Sequence, residues 1–510
     1  MAEYNNTRDS SLPDPASPGF QDGDTITLQN GSKFSRQSGR WEPVRFQTVG
    51  RQSKEVPVTA SLSATGIANA GLVPYPSEFR WAYSYRPAMF DNGTAITHDV
   101  DAIATADPAC YTGPIYHVDT LNGSDSNTGL GTYAGDFASA PLKSAKKAMD
   151  LLNTMAVAGQ IWIKYYPDSA TASLRTASSV VTTPTVPVLI RGIGGKARLR
   201  VADSYTFSQV ASSTTYKLAG TTVSRVFDLL NKDADGNYIE LVKTTGTADT
   251  PLANPGTWAT TGSDQLIRRA DGAAVTNANT LVTRSAVVAS LGATSPGGIM
   301  FENVELEGGY LDLLHTNADA PERKFVFKDV TFRYGHANHI RAKNSPGLVV
   351  FLRCDARMST SDLYNFHWDI NAALSRMFAI MADCTGFDAG IMGNGITGNV
   401  SNNCVTNHET GSLIVINGRF ERSFGGVFIG IDNSHTFLVG GVWRDGKGDT
   451  VMGGGYPPIT IQTEGTARCW MYKGVVDGVV HACRANGDSQ IALRGTVIAG
   501  GALTGNVTTW

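Results

Sequence analysis

Charge, cysteine and long apolar runs are all scarce in this chain, and each shortage removes a class of protein. Only 17% of the 510 residues are charged, against about 25% in an ordinary domain, which argues against a coiled coil or a helical bundle. The 42 Lys and Arg nearly balance the 45 Asp and Glu, leaving a formal net charge of −3. Without a positive field to gather phosphate, neither nucleic acid nor an anionic membrane surface is an expected partner. No stretch approaches the roughly 18 apolar residues that span a bilayer. The start MAEYNNTRDSSLPDP also lacks the basic and apolar regions of a secretory leader, so the expectation is a soluble chain made in a cytoplasm, with no membrane insertion. Cys110, Cys354, Cys384, Cys404, Cys469 and Cys483 are scattered without a C-x-x-C pair. Neither a zinc site nor a disulfide framework is indicated, and buried free thiols are expected.

Glycine is abundant, at 55 residues, and Ser, Thr and Asn are plentiful, a composition suited to short strands and tight turns. Length alone suggests roughly three domains at about 150 residues each, and the pattern along the chain refines this. Residues 1 to 20 lack apolar periodicity and read as a flexible arm. A small β unit follows, with strands expected at Thr25 to Leu28, Lys33 to Ser35 and Trp41 to Phe46 around Asn30-Gly31 and Ser38-Gly39 turns. Residues 51 to 110 read as a connector or neck. From 111 to 203 a short strand, a polar loop, an amphipathic helix and another strand succeed one another. Pro141 suits the first helical turn, and Leu142, Ala145, Ala148, Met149 and Leu152 share one face.

From 291 to 510 one unit recurs: a short apolar stretch, a small or polar residue, then a second apolar stretch. Aligned on Val304, Val330, Cys354, Cys384, Arg419, Val442, Val475 and Thr496, the copies lie 21 to 35 residues apart, a period that signals a solenoid. Each unit is too thin to bury its apolar residues except by stacking on the next. A β-sandwich is the alternative for eight short strands at irregular spacing.

The order of strand, Asn-Gly-Ser-Asp loop, Ala-Pro-Leu-Lys helix and strand near Gly113 resembles the opening of pectate-lyase-like right-handed parallel β-helix proteins, in which the helix caps the coil. Residues 204 to 290 break the rung pattern and resemble an insertion of phage tail β-helix proteins through Asp228, Asp235, Gly236, Pro255, Gly256, Trp258, Asp271 and Gly272. The stretch SDLYNFHWD, with Asp362, Asn365, His367, Trp368 and Asp369, and the later NHETG, with Asn407, His408 and Glu409, resemble phage and prophage tail proteins carrying an Asp-Gly-Phe-Asn-Tyr-His stretch and a following His-Asp pair. The sequence departs from that pattern at Leu363, Tyr364, Phe366 and Glu409. The expected fold is therefore all-β: a right-handed parallel β-helix with a capping helix, an inserted small β domain and a small N-terminal β segment. The resemblance implies a tail spike or tail fibre, attached to the particle and other tail or baseplate proteins through its N-terminus. It also implies a homotrimer in the virion tail that acts outside the cell on host capsular polysaccharide or lipopolysaccharide.

Two short motifs carry less. Asn231 to Glu240 follows the start of a calcium loop but has Val242 where a bidentate Glu is needed, so a polar hairpin is expected. RGIGG at Arg191 to Gly195 lacks phosphate-loop spacing and reads as tight backbone between strands. No cofactor and no metal site are expected.

Six of the nine histidines (His315, His336, His339, His367, His408, His435) fall between 315 and 435. Strands of adjacent rungs lie about 4.8 Å apart, a spacing that lets a solenoid build carboxylate pairs for glycan hydrolysis. Asp362 and Glu409 are the candidate catalytic pair, with His367 or His408 orienting the sugar or acting as base in an elimination. Arg419 is placed to bind a sugar carboxylate, and Asn365, Trp368, Glu421 and Asp432 are further candidate substrate contacts. Three functions compete: a depolymerase, a binding-only receptor protein and a structural virion component. Under the bland alternative, the same polar residues only hold long turns together.

Overall fold

The computed structural model describes residues 3–6, 25–28, 33–37, 40–43, 71–130, 140–167, 184–200, 205–221, 223–283, 287–290, 298–314, 323–335, 338–343, 347–367, 377–390, 402–447 and 457–510. The chain divides into two compact units, Met1–Ser63 and Ala64–Trp510. In the first, strands Glu3–Asn6, Thr25–Leu28, Lys33–Gln37 and Arg40–Pro43 form one sheet in chain order. Glu3–Asn6 pairs parallel with Thr25–Leu28, so the first twenty residues are not wholly irregular. Main-chain pairing needs no apolar alternation, which is why this strand escapes pattern reading. The last strand lies at Arg40–Pro43 where Trp41 to Phe46 was expected. The remainder of the arm falls outside the described residues.

The second unit is a parallel β-helix. Its first sheet runs from Ile115–Val118 through Gly159–Lys164, Val188–Ile193, Ile299–Glu302, Arg323–Lys328, Gly347–Leu352, Met377–Ala382, Ser412–Ile416, His435–Val439, Arg468–Tyr472 and Gln490–Arg494 to Val507–Thr509. A second sheet begins at Ala197–Arg200 and Val304–Glu307, and a third at Val287–Ser290 and Tyr310–Leu314; the long strand Val475–Ala485 belongs to both. Successive rungs pair in parallel throughout, which excludes the antiparallel sandwich. Inward side chains stack from rung to rung: the Phe301 and Phe327 ring centroids are 5.7 Å apart, and those of Phe327 and Phe351 4.8 Å, all nearly coplanar.

The sequence alignment of the rungs holds at most steps. Glu305 pairs with Thr331, Thr331 with Asp355, Asp355 with Thr385, Arg419 with Val442 and Val442 with Val475. One anchor is a residue late and another a residue early, because Thr385 pairs with Arg419, and Val475 with Val497; a one-residue slip exchanges inward and outward faces. The first corner, between Ile193 and Ala197, is longer, but from Glu302 onward the corner between first and second sheets has the same length, and a left-handed residue occupies it each time. These are Asn303, Asp329, Arg353, Asp383, Asn417, Gly440, Lys473 and Gly495, with φ between 50° and 64°. The insertion between Arg200 and Val287 aside, the other corners vary from none within the unbroken strand Val475–Ala485 to fifteen residues between Ala389 and Val405.

Residues 71–110, expected as a connector, instead pack along this constant corner. Gly71–Leu72, Met89–Asp91 and Ile96–His98 form an antiparallel sheet, and Val73, Phe79, Met89 and Val100 bury against the outer side of the first sheet at Leu189, Val326, Ile380, Ile416 and Phe437. Polar clasps fix the register: Arg353 reaches both Asp329 (2.7 Å) and Asp101 (3.2 Å), His98 meets Asp383 at 3.1 Å, and Asn417 Nδ2 donates to the Ile96 carbonyl at 3.0 Å. The first sheet is therefore buried on both faces, which explains uninterrupted apolar strands such as GLVVFL.

The capping helix is Ala145–Met155, with Ser144 accepting from the Lys147 amide and Ala145, Ala148, Met149 and Leu152 buried on the end of the coil. Pro141 and Leu142 precede it, Leu142 bridging to Val118. The insertion forms a five-stranded and a three-stranded sheet around Trp258, Val226 and Ile267. Its motif residues are structural: buried Arg269 clasps Asp228 (3.0 Å) and Asp271 (2.8 Å). Asp233 closes the hairpin by accepting from the Asp235 and Asn237 amides. Arg225, wholly buried, pairs with Glu240 at 2.7 Å and donates to the carbonyls of Gly335 and Met358, anchoring the insertion to the coil. All six cysteines are buried and unpaired. No helix among the described residues is long and apolar enough to cross a membrane.

Candidate functional site

His367 ends the third-sheet strand Tyr364–His367, and His408 and Glu409 follow the strand Val405–Asn407 one rung on. Because Phe366 pairs with Asn407, the next residue of each strand, His367 and His408, falls side by side. Their rings stack with centroids 3.8 Å apart and planes within 13°. His367 Nδ1 lies 3.2 Å from Glu409 Oε1, with the two side chains 30% and 19% exposed, so the pair is reachable from solvent. Burial, and secondarily the His367 charge, hold the His408 imidazole down to about 3, so His408 is neutral at neutral pH. Glu409 has a left-handed backbone with φ of 52°, at a corner where Asp432 and Gly465 take the same conformation in the following rungs. Asp432 holds that corner through its carbonyl, which accepts from the Thr466 amide.

Asp362 has a different setting. It is buried before the strand that His367 ends, and its carboxylate accepts from the Asn403 amide at 2.7 Å and from Asn365 Nδ2. Burial raises its pKa, opposed by these hydrogen bonds. Asp362 and Asn365 thus join two rungs inside the protein, while Glu409 and His367 form a separate pair at the other end of the strand. Arg419 and Glu421 lie on another face: they belong to the second sheet, 2.5 Å apart, with Arg444 on the same Glu421 at 3.0 Å. Trp368 lies outside the described residues, as do His315 and His336. His339 is buried and its Nε2 lies 2.7 Å from the Arg357 carbonyl, and His435 Nδ1 accepts from the Arg80 amide.

A second ionisable group went unnoticed in sequence reading. On the second sheet Arg198 pairs in register with Glu305, and Arg200 with Glu307. Arg200 holds Glu307 at 2.7 Å and Arg333 lies 3.5 Å from Glu305. Burial, and then the Glu307 charge, push the Glu305 carboxyl up to about 7. The signal was ARLR stacked on VELE, hidden by the insertion between them.

No known family matches the chain, and no curated protein does. Solved structures do resemble it. XylC in complex with xylose is 10% identical over 74% of this chain and 70% of its own, with a TM-score of 0.40. Pectate lyase Pel9A is 10% identical over 78% and 81%, at 0.36. ORF18 of Geobacillus virus E2 is 9% identical over 100% and 73%, at 0.26. The fold is a parallel β-helix. That assignment rests on the strand pairing described above, and the β-helix presents the His367–His408–Glu409 cluster at the edge of its third sheet.

Proposed function

We propose that the chain is a tail spike or tail fibre subunit of a bacteriophage that recognises the capsular polysaccharide or lipopolysaccharide of its host. The observation that carries this reading is the partly exposed His367–Glu409 pair beside His408, set on adjacent rungs of a parallel coil. A glycan lying along the coil meets hydrogen-bond donors and acceptors there at the rung spacing of about 4.8 Å. In this reading Met1–Ser63 attaches to other tail or baseplate proteins, three copies associate, and the protein belongs to the virion tail. Purified chain should retain host capsule or lipopolysaccharide in an equilibrium binding assay, and His367→Ala should weaken retention. Undiminished binding by the variant, or none by the parent chain, refutes the assignment.

Cleavage is the second reading, favoured by the 3.2 Å contact between His367 and Glu409. Glu409 would act as acid or base with His367 as its partner. Asp362, occupied by Asn365 and Asn403, is not the second carboxylate of this version. Release of oligosaccharides with new reducing ends, or of products absorbing near 235 nm, distinguishes a hydrolase or a lyase from a binder.

A further inference from the structure

We infer that His367, His408 and Glu409 form a binding site for a divalent first-row transition metal ion. Their donor atoms lie within 4.8 Å of one another. Such ions take imidazole nitrogen at about 2.0–2.1 Å and carboxylate oxygen at about 2.0–2.2 Å. The 3.2 Å between His367 Nδ1 and Glu409 Oε1 then subtends about 100° at an ion bound to both, between the octahedral and tetrahedral values. Donors at the outer limit of 4.8 Å need to close by about 0.6 Å to share an ion as a trans pair and by about 1.4 Å to share it tetrahedrally at these bond lengths, within reach of side-chain rotation.

A further observation points the same way. Neither ring nitrogen of His408 has a hydrogen-bond partner among the described residues, although the ring is half-buried. Two imidazoles and one carboxylate suit zinc, iron(II), manganese or nickel, whereas calcium and magnesium require mostly oxygen. With both His367 and Glu409 partly exposed, coordination positions remain open to water or to a sugar hydroxyl. The inference stands apart from the saccharide reading, because its test uses no glycan.

The test uses the full chain without an affinity tag, stripped with chelator and titrated with zinc chloride by calorimetry. One equivalent per chain should bind with a dissociation constant of about 10 μM or tighter, and His367→Ala, His408→Ala and Glu409→Gln should each weaken binding at least tenfold. His481→Gln, remote from the cluster, should bind as the parent does. Cobalt(II) should give a visible ligand-field spectrum that the His367→Ala variant lacks. Thermal unfolding in chelator checks that each variant is folded. No binding at 100 μM zinc, or binding that survives in a folded His367→Ala and His408→Ala double variant, overturns the inference.

Discussion

Glu305 offers the sharpest test of the electrostatics, through the substitution Glu305→Gln. In the folded chain its carboxyl titrates at about 7 instead of 4.5, because burial disfavours the anion and Glu307 repels it. Between those values the native state keeps a proton that the unfolded chain has shed. Stability from this group is therefore complete below pH 4.5 and is lost as pH rises through 7. At about 1.4 kcal/mol for each pH unit, the gap sets a ceiling of about 3 kcal/mol. The Arg333 contact at 3.5 Å and the 19% exposure of the Glu305 side chain reduce the realised value. Glutamine imitates the protonated form at every pH, so the variant should match the parent at pH 4.5 and resist urea better at pH 8 by about 1–3 kcal/mol. The comparison must be between variant and parent, because buried histidines impose an opposite slope on both. Equal urea midpoints for the two proteins at pH 8 would show that Glu305 is already ionised without penalty, and the reasoning would fail.

Asp362→Ala should destabilise the coil by about 3 kcal/mol or more, since it strands the Asn403 amide and Asn365 in the interior; Asp362→Asn should lose less. A folded Asp362→Ala with an unchanged urea midpoint would contradict the structural role. His339, held down to about 4 chiefly by burial, stays neutral while the unfolded chain protonates near 6.5. Its stabilisation is thus complete above pH 6.5 and lost toward pH 4, and His339→Gln should flatten that part of the urea midpoint profile. Arg225→Ala leaves Glu240 without its buried partner, a loss of about 3–5 kcal/mol. It should expose the insertion to limited proteolysis between residues 205 and 283 while the rungs from 323 onward remain protected.

Much of the fold was legible because the rungs must repeat. A unit that cannot bury itself alone leaves a period in the sequence, and the pairings Glu305 to Thr331 and Val442 to Val475 follow it. The single-residue errors near Arg419 and Thr496 arose where a corner places a small or polar residue at either of two neighbouring positions. The role of residues 71–110 was missed although a sign of it was present. GLVVFL and MFAIMA are apolar at every position, which a sheet solvated on its outer side cannot sustain. The site was legible in part. Register made His367 and His408 neighbours, but the number of residues before each strand decided that Asp362 would face Asn403 and not Glu409. ARLR and VELE were unreadable as a pair because 107 residues separate the registered arginines from the glutamates.

The left-handed corner has a consequence for how such a chain diversifies. From Glu302 onward one edge of each rung is fixed in length, and residues 71–110 clasp it at several rungs, so an inserted or deleted residue there would throw all later turns out of step. The opposite edges, the insertion aside, already range from no residues to fifteen without disturbing the pairing. New surface loops can therefore be exchanged along one flank, like pages turned about a bound spine, while the part that determines folding stays the same.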